Sequence, residues 1–188
     1  MIVGGPAGGD SQRARKAQVR EAYETAVKEV MDVEPAKDAP LIQFDQEERS
    51  GPRTPGNDAL VITALLANYE IERVLIVLGS SANILFGEAY EQMQLGDVPL
   101  EVVDTSLYGF TGEVVHQRGM ISLLLTLGTS PLRKTYLLKF LVVDMPSAYN
   151  VIIGRPTLNG FRAIISTYHM KIKFPVVGGV GEAQADAL

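Results

Sequence analysis

Val74-Leu75-Ile76-Val77-Leu78-Gly79-Ser80-Ser81-Ala82-Asn83-Ile84-Leu85-Phe86 is the stretch on which the reading of this chain turns. Five apolar residues, rich in β-branched side chains, make a run of strand length. Gly79-Ser80-Ser81 then breaks the run with small, turn-forming residues. From Asn83 to Leu95 the apolar residues Ile84, Leu85, Ala89, Tyr90 and Met93 recur at helical intervals, which predicts a helix. By itself the stretch is a strand, a turn and a helix start.

Outward from it, the texture is that of a β-protein. Short apolar runs at 60–66, 74–78, 100–103, 120–127, 136–143, 151–153, 163–166 and 170–174 are separated mostly by Gly, Pro, Asn or Ser. Many short strands with such punctuation predict a barrel or sandwich. A second helical turn is expected at 156–161, where Pro156 follows Gly154 closely and proline suits a helix start. The folded domain is thus expected over 58–175. Before it, 1–57 reads as linker carrying an amphipathic helix at 16–33, with Val19, Tyr23, Ala26, Val27, Val30 and Met31 on one face, and one short strand at 41–44. After it, the Gly-rich 176–188 reads as a flexible tail.

Composition narrows the function classes. The chain has 188 residues, 46% hydrophobic and 21% charged, enough for an ordinary core without staples. With no cysteine, disulfides and thiolate metal sites are excluded. His116 and His169 stand alone, without neighbours at ligand spacing, so neither a metal nor a cofactor is expected. A net charge of −5 with no dense Lys/Arg block argues against nucleic-acid binding, which needs a basic footprint. No apolar run reaches membrane-span length, and none near the N-terminus has signal-peptide character. The expectation is an intracellular, soluble, cytoplasmic protein.

Two further stretches carry weight. Ala148-Tyr149-Asn150-Val151-Ile152-Ile153-Gly154-Arg155-Pro156 is again a strand, a glycine and a short helix. Between the two, Leu107-Tyr108-Gly109-Phe110-Thr111-Gly112-Glu113 has the glycine and aromatic content of a hairpin tip. In this order and spacing the three pieces resemble the retropepsin-like aspartic protease region of plant gypsy-class LTR retrotransposon gag-pol polyproteins. There the first motif reads hydrophobic-Asp-Ser-Gly-Ser-Ser-Ala-Asp-Ile-Leu-Phe, and Gly79, Ser80, Ser81, Ala82, Ile84, Leu85 and Phe86 match it. Tyr108, Gly109, Phe110 and Gly112 match the flap-like stretch, and Ile153, Gly154 and Arg155 match the second motif. The run Ser166-Thr167-Tyr168-His169-Met170-Lys171-Ile172-Lys173-Phe174-Pro175 also fits, as do Asn57-Asp58-Ala59-Leu60-Val61-Ile62 and the upstream Gly4-Gly5-Pro6-Ala7-Gly8-Gly9-Asp10-Ser11.

The resemblance implies a mainly β fold: a closed, retropepsin-like β-barrel with one or two short helices, forming a homodimer that grips an extended peptide or polyprotein segment. It also implies two aspartates, one from each subunit. Too close for both to ionise, they share a proton and activate water. At that position this chain has Val77, and Leu78 replaces the following serine. Neither side chain can take or give a proton, so the expected domain is catalytically inactive. In the same motif, Asn83 replaces the later aspartate. Asp104 and Asp144 are the other carboxylates considered as substitutes. Three functional expectations follow: a silent protease-like segment, an active aspartic endopeptidase using another carboxylate, or a non-catalytic peptide-binding and dimerisation module.

Overall fold

The computed structural model describes residues 2–3, 40–48, 58–95, 98–103, 107–108 and 114–186. The helix expected at 16–33 lies outside them.

Strand β1 (Ile2–Val3) pairs antiparallel with β3 (Tyr69–Ile76). The barrel proper begins with β2 (Val61–Leu66) and β3 (Tyr69–Ile76), joined by Ala67 and Asn68. Both linking residues have positive φ, 49° and 67°, the backbone that lets a two-residue turn follow the twist of its strands. The Ala67 N–H also reaches across to the Leu124 carbonyl at 2.8 Å, so the corner is held by a third strand. The register of β2 against β3 shifts between Ile62 and Ala64. Arg73 takes up the extra length of β3 at φ 59°. Asn150 ties down this bulge: its N–H donates to the Arg73 carbonyl, and its Nδ2 donates to the Glu72 carbonyl.

The long hairpin of β7 (Gln117–Thr129) and β8 (Leu132–Val143) forms most of one wall. Its sequence explains its orientation. Ile121, Leu123, Leu125 and Leu127 alternate inward with half-exposed residues between them, as a period of two demands. Gly119 has φ 149°, and a Cβ there would fall 2.8 Å from the Glu101 carbonyl oxygen. That close approach permits the single bridge between Glu101 and Met120, where the expected strand at 100–103 otherwise does not form.

Strands β4 (Ile84–Phe86) and β9 (Val151–Ile153) complete the barrel. β4 runs parallel to β8 and antiparallel to β9, and β9 runs parallel to β3. The order β3-β2-β7-β8-β4-β9 therefore closes on itself as a ring of six strands. Helix α1 (Gly87–Met93) follows β4 and buries Ala89 and Met93. Helix α2 (Arg155–Phe161) follows β9, with Pro156 in its first turn. β5 (Leu107–Tyr108) and β6 (Val114–Val115) make a separate two-stranded pair. β10 (Ile164–Ser166), β11 (Lys171–Val176) and β12 (Gly179–Gln184) make a three-stranded sheet against the barrel. Phe161 joins these layers, edge-on to Tyr136 at 4.9 Å and to Phe174 at 5.4 Å. Each fully buried side chain of this kind contributes about 1.5–3 kcal/mol through removal from water.

Three further expectations are corrected. The helical reading of 83–95 holds only from Gly87; Ile84, Leu85 and Phe86 are a strand, because β8 and β9 offer hydrogen-bonding edges on both sides. The segment 41–44 is not a strand; a single 3₁₀ turn at Gln46–Glu48 follows it. The stretch from 176, expected as a flexible tail, supplies β12. Gly178 and Gly179 (φ 86° and 159°) make the turn, and Gly181 leaves room for the Phe174 ring. Among the described residues, no helix is long and apolar enough to cross a membrane.

Candidate functional site

The site is built around the connection between β3 and β4. These strands do not pair with each other; β9 lies between them, so their connecting turn passes over the end of β9. Backbone bonds fix the turn there. The Val77 N–H donates to the Ile153 carbonyl at 2.9 Å, the Ser80 N–H to the Val77 carbonyl at 3.2 Å, and the Arg155 N–H to the Ser80 carbonyl at 3.0 Å. Gly154 sits so tightly beneath that a Cβ would overlap the Ala82 carbonyl oxygen and fall 2.8 Å from that of Ser80. The first and second motifs, Val77 to Ala82 and Ile153 to Arg155, are thus brought into direct contact.

Asn83 locks the arrangement. It is 2% exposed, and its Oδ1 accepts from the Gly154 N–H at 3.0 Å and from Thr157 Oγ1 at 2.8 Å. Its Nδ2 donates to the Lys139 carbonyl at 3.0 Å. One buried amide therefore joins the turn, β8, β9 and α2, each bond satisfying a group that would be costly to bury alone. Sequence reading noted Asn83 only as a departure from a motif and missed Thr157. The available signal was a polar residue inside an apolar run, which demands partners when buried.

The chemistry at the tip of the turn is sparse. Val77 is half-buried and Leu78 is 62% exposed. Gly79 stands clear, with nothing within 4 Å of where a Cβ would lie, and it is not among the glycines with positive φ. The Ser80 hydroxyl donates to the Ala82 carbonyl at 2.7 Å, while Ser81 is exposed. No group of 77–82 titrates near neutral pH. Asp144, considered as a substitute carboxylate, is engaged elsewhere: Arg118 Nε lies 2.6 Å from its Oδ1. The hydrogen bond from Arg118 holds its carboxyl below the ordinary value, making it a fixed anion near the start of α1, beside Gly87. Asp104 lies outside the described residues.

Beside the turn is a small apolar cluster separate from the main core. Phe86, Val115 and Val143 are buried, and Ile84, Leu141, Tyr149 and Ile152 pack against them. Val115 comes from β6, so β6 packs on apolar side chains from β4, β8 and β9. Tyr108 lies on β5; Gly109, Phe110 and Gly112 lie outside the described residues. His116 is exposed, and His169 Nδ1 is 2.7 Å from Ser166 Oγ.

No known family profile matches the chain, nor does any curated protein sequence. Solved structures do. The retroviral protease-like domain of Ddi1 from Leishmania major superposes with a TM-score of 0.51 at 14% identity, over 69% of this chain and 97% of that one. EIAV protease, solved with the inhibitor HBY-793, gives 0.45 at 18% identity over 61% and 99%. A retropepsin-like aspartic protease from Rickettsia conorii gives 0.44 at 18% over 68% and 84%. The fold, a mainly β closed barrel with two short helices, is retropepsin-like.

Proposed function

We propose that the chain is a catalytically silent, retropepsin-like segment of a plant gypsy-class retrotransposon polyprotein. One observation supports the reading: the turn between β3 and β4 is built and braced, and the residues in it that correspond by sequence to the motif's aspartate and serine are Val77 and Leu78. Acid–base catalysis contributes about 10²–10⁴-fold and positioning more, so a homodimer lacking both carboxylates falls below detectable cleavage. Asp144 does not rescue it, being ion-paired with Arg118.

A second reading, a non-catalytic peptide-binding and dimerisation module, is favoured by the apolar floor beneath β6. Such a floor accepts side chains of an extended peptide, whose backbone adds to a strand edge. The homodimer belongs to both readings.

Peptide cleavage at acid to neutral pH, by the native chain and by the Val77→Asp, Leu78→Ser double variant, tests the proposal. Cleavage by the variant alone is expected. Cleavage by the native chain would overturn it and point to an active endopeptidase. Saturable peptide binding without turnover by the native chain would establish the second reading.

A further inference from the structure

The least ordinary charges in the molecule lie away from the Val77 turn, on β11. Lys171 and Lys173 are only 9% and 7% exposed, and lysine is rarely buried so deeply unless paired. They alternate with Ile172 and Phe174, both fully buried in the core, so the two lysines share the opposite face of the sheet. What covers that face is the segment 40–48.

The contacts read as recognition of a ligand. Lys173 Nζ donates to the Gln43 carbonyl at 2.8 Å and to Glu48 Oε1 at 2.8 Å. It also lies 4.9 Å from the centroid of the Phe44 ring, a cation–π contact. Phe44 stacks on His169 with centroids 5.2 Å apart and planes 21° from parallel. Lys171 Nζ is 3.7 Å from Glu48 Oε2 and 3.3 Å from Glu182 Oε1. Among the described residues, 40–48 makes no main-chain to main-chain hydrogen bond to the barrel. A carbonyl, a ring and a carboxylate hold it, as side-chain pockets hold a peptide.

We propose that this face of β11 is a peptide-recognition site for an acidic segment with an aromatic residue four positions before the carboxylate. Its own Gln43-to-Glu48 stretch fills the site in cis. The site is independent of the Val77 turn and of any reading of that turn. Tethering favours the cis occupant at low concentration, because a short linker supplies an effective concentration of order millimolar. Removing the carboxylate weakens the cis occupant, which keeps only its Gln43 carbonyl and Phe44 contacts, while the lysines and His169 of the site all remain.

The test uses the full chain carrying Glu48→Gln and a fluorescent peptide of the sequence Pro-Leu-Ile-Gln-Phe-Asp-Gln-Glu-Glu, residues 40–48. Saturable binding is expected. It should weaken at least tenfold when the last peptide residue is Gln, and vanish when Lys173→Met is added to the protein. Absence of binding to a variant that melts like the native chain overturns the proposal. So does binding indifferent to Lys173→Met. Should Glu48→Gln fail to fold, titration of the unaltered chain with the same peptide decides the matter. Saturable, Lys173-dependent binding is expected once the peptide exceeds an effective concentration of about a millimolar, and its absence there overturns the proposal.

Discussion

Replacing Asn83 by alanine removes three hydrogen bonds from a site that water does not reach. Gly154 N–H, Thr157 Oγ1 and the Lys139 carbonyl all lose their partner. At a net value of about 1 kcal/mol per bond, the loss is about 3 kcal/mol, rising toward 5 kcal/mol if no water replaces the amide. With a urea slope of about 2 kcal/mol/M, the midpoint falls by about 1.5 M. Thr157→Val removes only the 2.8 Å bond to Oδ1 and should cost about 1 kcal/mol. In the double variant the orphaned hydroxyl no longer exists, so the combined loss should fall short of the sum by about 1 kcal/mol. Urea denaturation followed by circular dichroism on the four proteins measures all three quantities. A loss below 1 kcal/mol for Asn83→Ala, or strict additivity of the pair, would refute the assignment of Asn83 as the tie between turn, β9 and α2.

Two glycines should respond with opposite signs. Gly154→Ala drives a methyl into the carbonyls of Ala82 and Ser80, backbone atoms that cannot yield, at a cost of about 1–3 kcal/mol or more. Gly160→Ala, in α2 with nothing within 4 Å, should instead stabilise by up to about 1 kcal/mol; thermal melting of both variants checks the contrast. Stability should also fall in acid. The hydrogen bond from Lys173, aided by the charges of Lys173, Lys171 and His169, holds Glu48 below its ordinary 4.5. Arg118, with a smaller effect from His116, holds Asp144 below 3.8. A depressed carboxylate stabilises above its unfolded value and stops doing so as pH falls through its folded one. Melting temperature should therefore be flat from neutral to about pH 5 and drop below about pH 4. Glu48→Gln should soften that drop, and an unchanged acid limb would contradict the assignment.

What the sequence revealed follows from which signals are local. The apolar runs at 120–127 and 151–153 are bounded by Gly or Asn, local punctuation that reads as strand, and both are strands as expected. Ile84, Leu85 and Phe86 misled because a short apolar run suits helix and strand equally. Their state is decided by β8 and β9, whose proximity no local pattern reveals. β12 was obscured by its glycines, which ordinarily weaken a strand. Here Gly181 is required because the Phe174 ring and the Leu132 carbonyl press against it. Within the candidate site, the two motifs were legible as sequence but their contact was not, since Asn83 reaches Gly154 and Thr157 across 71 and 74 residues. For the lysines of β11 the sequence offers only membership of a matching run, because the residues that bury Lys173 lie 125 and 130 positions away.

The insertion of β9 between β3 and β4 also has a consequence in time. Pairing Val74 with Val151 closes a loop of 77 residues (151 − 74) and costs roughly 4 kcal/mol of chain entropy before any contact repays it, whereas the β7–β8 hairpin forms between neighbours. During synthesis at about 5–20 residues per second, β3 waits some 4–15 seconds for the partner that its C-terminal half requires. Throughout that interval Val74, Leu75 and Ile76 present a bare apolar edge, the kind of edge onto which other chains add. That edge is closed only when Val151, Ile152 and Ile153 take their place in the ring.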